Sequence, residues 1–145
     1  MNAIKNVFRE GPINPDFIAQ SIAKHQSKTG IGAHDIFLGQ VRADQVGETT
    51  VGAIEYTAYT EMANKVMHQI RENTFERFEI TCMHVYHSLG LVKAGEICLF
   101  VFVSSPHRKV CFRALEYVVE SIKAEAPVFG KELLADQSHQ WKVNQ

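Results

Sequence analysis

The residues of this sequence best suited to chemistry are cations gathered around one amphipathic segment. "SSPHRKV", residues 104–110, has the form of a helix start, with Ser105 as N-cap and Pro106 at the first helical position. His107, Arg108 and Lys109 follow at once. A helix N-terminus already carries partial positive charge, so cations there are unfavourable unless something offsets them. One reading is an anion site: free N–H groups and the helix dipole attract a phosphate or carboxylate, His107 and Arg108 add charge, and Ser104 and Ser105 add hydroxyl donors. The other is a solvated helix start whose cations meet acidic side chains nearby.

Lys123 lies in the last turn of the same segment. The dipole alone favours a cation there by about 0.3–1 kcal/mol. Lys123 also borders an apolar stripe, directly after Ile122 and four residues after Val119. Partial desolvation at that edge would lower its pKa and make it a usable acid or base. "FGKE", residues 129–132, adds Lys131, and Arg42 ends "FLGQVR". Gly39 in that stretch predicts a bulge or a close backbone approach.

The remaining reactive types promise less. Cys82, Cys98 and Cys111 each sit in an apolar run with no zinc-site spacing. They read as buried, reduced core thiols, with a catalytic cysteine as the alternative. His84 and His87 are three apart in a predicted strand and point to opposite faces. His25, His34, His68 and His139 show no ligand spacing, so no metal site and no cofactor are expected.

These groups need a scaffold. The 145 residues, 46% hydrophobic and 21% charged, fit one domain spanning 1–145 with a real core. A net charge of −1 argues against nucleic acid as the main partner. No run reaches the length of a membrane span, and "MNAIKNVFREG" lacks the apolar stretch of a signal peptide, so a cytoplasmic protein is expected.

"AIKNVFRE" predicts a first strand, and Asn14 caps a helix beginning at Pro15. "AHDIFLGQVR" and "VGAIEYTAY" predict strands that form a long-looped hairpin across "ADQVGETT". Thr60 caps a second helix with apolar residues Met62, Ala63, Val66, Met67 and Ile70. "EITCMHVYHSLG" and "GEICLFVFVSS" predict two more strands, the second apolar throughout and therefore central. The third helix runs from about Pro106 to Glu125, and Pro127 ends it. Strand-like pieces follow in "PVFGKELLADQSHQWKV". The order β-α-β-β-α-β-β-α-β-β predicts an α+β domain, with helices on one side of a mainly antiparallel sheet.

Together these pieces resemble one family, the large, catalytic subunit of molybdopterin synthase. The resemblance rests on "GAHDIFLGQVR", "IEYTAYTEMA", "VYHSLG" followed by "GE", "VSSPHR", "IKAEAP", "KE" and Trp141, covering about residues 30–141. The ordered set G-x-V-R, S-x-H-R and K-x-x-x-P is its most specific part.

The resemblance implies an α/β-hammerhead-like fold and a sulfurtransferase. It implies conversion of cyclic pyranopterin monophosphate to molybdopterin by insertion of two dithiolene sulfurs. Sulfur would arrive as a C-terminal thiocarboxylate on a ubiquitin-like small subunit, within a heterotetramer built on a dimer of large subunits. The substrate region would fall on Gln40, Val41, Arg42, His107, Arg108, Lys123 and the segment Gly130, Lys131, Glu132, with Lys123 the key catalytic residue. The cationic helix start would then hold the substrate's anion. Arg108 and Lys123 lie fifteen positions apart on one predicted helix, roughly 22 Å at about 1.5 Å per residue. A small pterin hardly spans that, so the expected site is shared across the dimer, with Lys123 from one subunit and His107 and Arg108 from the other.

The sequence departs from the family pattern at three places. Where the family often has a second lysine, this chain has Gly130; Lys131 could replace it if a bulge at Gly130 re-aimed the side chain. Ser88 stands where an arginine is frequent. The sequence ends four residues after Trp141, where many members run longer, so any covering role of that extension is expected to be absent or replaced. Two other function classes fit the same residues. A non-catalytic α+β dimer binding a small phosphorylated metabolite needs the anion site but not Lys123. A cysteine-dependent acyltransferase needs one of the three thiols.

Overall fold

The computed structural model describes residues 4–144. Its elements are β1 (Phe8–Glu10), α1 (Pro15–His25), β2 (Ala33–Gln40), β3 (Gln45–Val46), β4 (Thr49–Ala58), α2 (Thr60–Arg77), β5 (Cys82–Lys93), β6 (Ile97–Ser105), α3 (Arg108–Glu125), β7 (Val128–Leu134) and β8 (His139–Trp141). The strand order is β2-β6-β5-β4-β7-β8, with β1 on β5 and β3 on β4. Every pair is antiparallel except β1 with β5. Among the described residues no helix is long and apolar enough to cross a membrane.

The sheet is organised around β6, whose continuous apolar run is buried on both faces. Leu99, Val101 and Val103 pack with Cys111, Ala114, Val118 and Ile122 of α3 and Ala63, Met67 and Ile70 of α2. Phe100 and Phe102 pack with Ile13 and with Phe17, Ile18 and Ile22 of α1. Side chains alternate across a strand, so α2 and α3 cover one face and α1 covers the other. Helices on one side therefore describes α2 and α3 only. A strand apolar at every position needs cover on both faces.

The hairpin expected between β2 and β4 does not form. β2 lies along β6, and β4 lies between β5 and β7. Alternation predicts a strand but not its neighbour. The intervening polar segment instead folds two residues back as β3, pairing Gln45 with Thr50 and Val46 with Thr49. At Gly39 the expected bulge is present: the β2–β6 register shifts between Gly39 and Gln40, and a Cβ at Gly39 would lie 3.1 Å from Leu99 Cβ.

Asn14 caps α1, accepting from the Asp16 N–H at 2.8 Å. The start of α3 differs from expectation. Ser105 belongs to β6, Pro106 precedes the helix, and His107 is the N-cap with no side-chain capping bond. Ser104 and Ser105 are fully buried. Ser104 Oγ pairs with His34 Nδ1 at 2.6 Å, and Ser105 Oγ donates to the His107 carbonyl. Their hydroxyls therefore hold the turn together rather than face a ligand.

Gly32 fixes the same turn from the other side. Its N–H donates to the Ser105 carbonyl at 3.0 Å, and a Cβ there would strike the Pro106 carbonyl oxygen. Gly32→Ala must displace backbone, so we expect a loss of about 1–3 kcal/mol of stability. Urea unfolding measures it; an unchanged midpoint would show that the turn relaxes freely.

Candidate active site

The C-terminus of α3 and the β7–β8 hairpin build the site together. The Ala126 N–H closes the helix on the Ile122 carbonyl at 3.0 Å, and Pro127 turns the chain into β7. β7 then runs along β4, pairing Ile54 with Glu132 and Tyr56 with Gly130. β8 pairs Glu132 with Gln140, and the Lys142 N–H donates to the Gly130 carbonyl at 2.8 Å. Residues directly opposite in a ladder share a face. Ile54, Tyr56, Gly130, Glu132, Gln140 and Lys142 thus lie on one face.

Three clefts meet there. One, of about 320 Å³, is lined by Tyr56, His87, Ile122, Lys123, Gly130, Trp141 and Lys142 among others. A second, of about 590 Å³, includes Arg42, Asp44, Lys123, Glu132, Trp141 and Lys142. The third, of about 250 Å³, includes Gln40, Val41, Arg42, Cys98, Lys123, Glu132 and Lys142. Lys123 and Lys142 line all three.

Six of the residues selected from sequence therefore come together: Gln40, Val41, Arg42, Lys123, Gly130 and Glu132. Lys131, His107 and Arg108 do not join them. The β4–β7 register runs without a shift through Gly130, so no bulge re-aims Lys131. Its ammonium lies 3.5 Å from Glu55 Oε1, on the residue it faces across the ladder. His107 and Arg108 are exposed at the other end of α3 and line none of the three clefts. Ser88 is wholly buried, and its hydroxyl has no partner among the described residues.

Burial sets the charge states. It lowers the Lys123 pKa, and the nearby Lys142 ammonium lowers it further, while Cys98 opposes the change. Burial also takes His87 down to about 4, with Lys123 and Lys142 acting in the same sense. His87 is therefore neutral at pH 7 and donates Nδ1–H to the Ser88 carbonyl at 2.8 Å. Burial, with Cys98 beside it, pushes the Tyr56 phenol well above its ordinary value. Arg42 makes a two-point contact with Asp44, at 2.9 and 3.2 Å. Among the described residues, neither Lys123 nor Lys142 reaches a carboxylate at ion-pair distance. Two uncompensated ammonium groups facing one space attract an anion, and a partly desolvated lysine among them can exchange a proton.

Sequence reasoning missed Tyr56, His87 and Lys142. Alternation in "SHQWKV" puts Gln140 and Lys142 on one face of a strand, but only the pairing with Gly130 brings that face to Lys123.

The cysteines are buried. Burial raises the Cys111 pKa, which disfavours its thiolate. Cys82 lies with His25 and His84 in a cluster whose ligand atoms fall within 4.8 Å, which spacing along the chain did not reveal. Its contacts are internal. His25 Nε2 meets His84 Nε2 at 3.0 Å, His25 Nδ1 meets the Ser21 carbonyl at 2.7 Å, and Lys28 Nζ reaches Cys82 Sγ at 3.0 Å. Burial takes His84 to about 4, and Lys5, Arg71 and Lys28 contribute repulsion that would equally oppose a bound cation.

His84 and His87 make stability depend on pH. Both have folded pKa values near 4 against an ordinary 6.5. Below 6.5 the unfolded chain binds these protons and the native one does not. Stability is therefore expected to fall steadily between about pH 6.5 and 4. Urea midpoints at pH 7.0 and 4.5 test this, with a smaller drop expected in His87→Gln.

The family model described as MoaE protein matches residues 9–125. The molybdopterin synthase catalytic subunit of Bacillus subtilis is 36% identical over 130 residues, covering 90% of this chain and 79% of that protein. Molybdopterin synthase catalytic subunit 1 of Aedes aegypti is 37% identical over 150 residues, covering 99% and 90%. The crystal structure of molybdopterin synthase from Staphylococcus aureus superposes with a TM-score of 0.81 at 30% identity, covering 97% of this chain and 99% of that one. A complex of subunits 1 and 2 of molybdopterin-converting factor from Helicobacter pylori shares the fold, with a TM-score of 0.78 at 16% identity, covering 96% and 92%.

Proposed function

The chain belongs to the MoaE protein family, and from that membership we propose that it is the catalytic subunit of a molybdopterin synthase, a sulfur-transferring enzyme of molybdenum cofactor biosynthesis. Its substrate is cyclic pyranopterin monophosphate. Its sulfur donor is the thiocarboxylated tail of a ubiquitin-like small subunit, and its place is the cytoplasm. The observation that carries this reading is Lys123, a partly desolvated ammonium without a carboxylate partner among the described residues, where three clefts meet.

The chemistry explains the need for such a group. A thiocarboxylate and a phosphate ester are both anionic, so bringing them together requires cations. Each transfer forms a carbon–sulfur bond to the pterin as a carbon–oxygen bond at the same carbon breaks, the departing oxygen taking up a proton. Water then cleaves the acyl–sulfur bond and returns the tail as a carboxylate. Protons must be moved at leaving oxygens, and Lys123 is the group placed to do it. Arg42, already oriented by Asp44, supplies charge at the mouth of the site. The sulfur travels on the partner's tail, so no cysteine of this chain is needed.

His107 and Arg108 enter from a second copy of the chain. In a homodimer their helix start would lie beside the partner's Lys123 clefts and hold the phosphate by charge-assisted hydrogen bonds. Two small subunits on that dimer make the heterotetramer. The direct test is to incubate the protein with thiocarboxylated small subunit and cyclic pyranopterin monophosphate and to follow molybdopterin through its fluorescent oxidation product. Product formation that depends on both components is expected. No product from a verified complex would return the chain to the class of non-catalytic metabolite-binding modules.

A further inference from the structure

We propose that Lys142 is a second cationic substrate-binding residue, placed across the β7–β8 ladder from Gly130 and sharing with Lys123 the anionic group that enters the clefts. The proposal rests on the function proposed above and deepens it, because sequence motifs assign Lys142 no role.

Three observations converge. Lys142 and Lys123 come from different elements, yet both line all three clefts. The Lys142 backbone is tied to Gly130, whose own face is closed to a side chain: a Cβ there would lie 2.9 Å from Ile54 Cγ2 and 3.3 Å from Tyr56 Cε1, with Lys142 Cβ at 3.6 Å. The ladder position that faces the cleft on β7 therefore offers no cation, and the β8 side supplies one directly opposite. Lys131 cannot do so, because alternation turns it to Glu55.

The charge balance points the same way. Lys142 has no carboxylate at ion-pair distance among the described residues. It acts on Lys123 and on His87, lowering the pKa of each. Like charges held this close oppose one another until an anion bridges them. Two ammonium groups from different elements lining the same clefts fit one group with several acceptor oxygens, such as a phosphate monoester or diester.

The test uses the complex with thiocarboxylated small subunit and compares wild type, Lys142→Ala and Lys142→Arg. Turnover is measured over a range of pterin monophosphate concentrations and pH. Binding of the pterin is measured by calorimetry on the complex whose tail carries the inactive carboxylate. Loss of one charge-assisted contact should raise KM and weaken binding by about 10- to 100-fold in Lys142→Ala, whereas Lys142→Arg stays within about threefold. The limb of the pH profile that belongs to Lys123 should move to higher pH in Lys142→Ala and stay put in Lys142→Arg, a shift that a purely structural role would not cause.

Normal turnover, binding and pH profile in Lys142→Ala would overturn the role of Lys142 and leave the enzyme reading intact. A wild type that binds the pterin in a Lys142-dependent way but makes no product would overturn the enzyme reading and keep Lys142. A wild type that neither binds nor turns over would overturn both.

Discussion

Lys123→Ala should lower molybdopterin formation by about 10²–10⁴-fold, the range for removal of a positioned acid–base group. The side chain is half-buried at the end of α3, and its pKa is lowered first by desolvation and then by Lys142. The direction is the useful one. The amine form becomes accessible at lower pH than for a free lysine. The fold should survive, because the neighbouring Ile122 holds this turn in the core and Lys123 makes no ion pair among the described residues. Lys123→Arg separates charge from proton transfer. A guanidinium keeps the charge but does not give up its proton, so Arg should restore pterin binding without restoring turnover. Thermal unfolding and small-subunit binding serve as controls. An alanine variant that keeps more than about a tenth of wild-type turnover would contradict the low end of that expected range and move the chemistry to another cleft residue.

The second large effect concerns His107 and Arg108. Each variant alone, Lys123→Ala or Arg108→Ala, should give a dimer with little activity. Randomly re-paired dimers of the two should together recover about a quarter of wild-type turnover, since about half of them are mixed and each mixed dimer carries one intact site of two. The reasoning is geometric. α3 extends from Arg108 to Glu125, and the clefts around Lys123 include neither His107 nor Arg108. A helix separates its own two ends by about 1.5 Å per residue, so only another copy can bring an α3 start to an α3 end. Absence of recovery in verified mixed dimers would mean that each chain works alone and that the helix start is a solvated end.

Much of the scaffold was legible in the residues. Asn14 and Pro15 announced α1, the apolar spacing of α3 announced its buried stripe, and Pro127 announced its end. Such signals act within one or two turns of chain, so they survive whatever the rest of the molecule does. Gly39 is a similar case: a missing side chain in a strand pattern marks a bulge or a crowded position, and both hold here, with the register shifting after Gly39 and Leu99 Cβ close by. At the start of α3 the local reading went astray. Ser105 and Pro106 carry the composition of a cap, but the β2–β6 ladder extends to Ser105 and keeps it in the sheet. Pairing with a distant strand overrode a local preference.

Local signals in the sequence were enough for a mainly antiparallel α+β domain and for the stretches that supply Arg42, Lys123 and Glu132. Tertiary structure alone decided that β2 pairs with β6 rather than β4, that α1 covers the face opposite α2 and α3, and that the second lysine beside Lys123 is Lys142 rather than Lys131. The difference has one physical cause. Periodicity, caps and breakers are properties of a short segment, whereas strand partners and register are settled by which apolar faces find each other across the chain. A one-residue choice of register decides whether a lysine faces Glu55 or the clefts around Lys123.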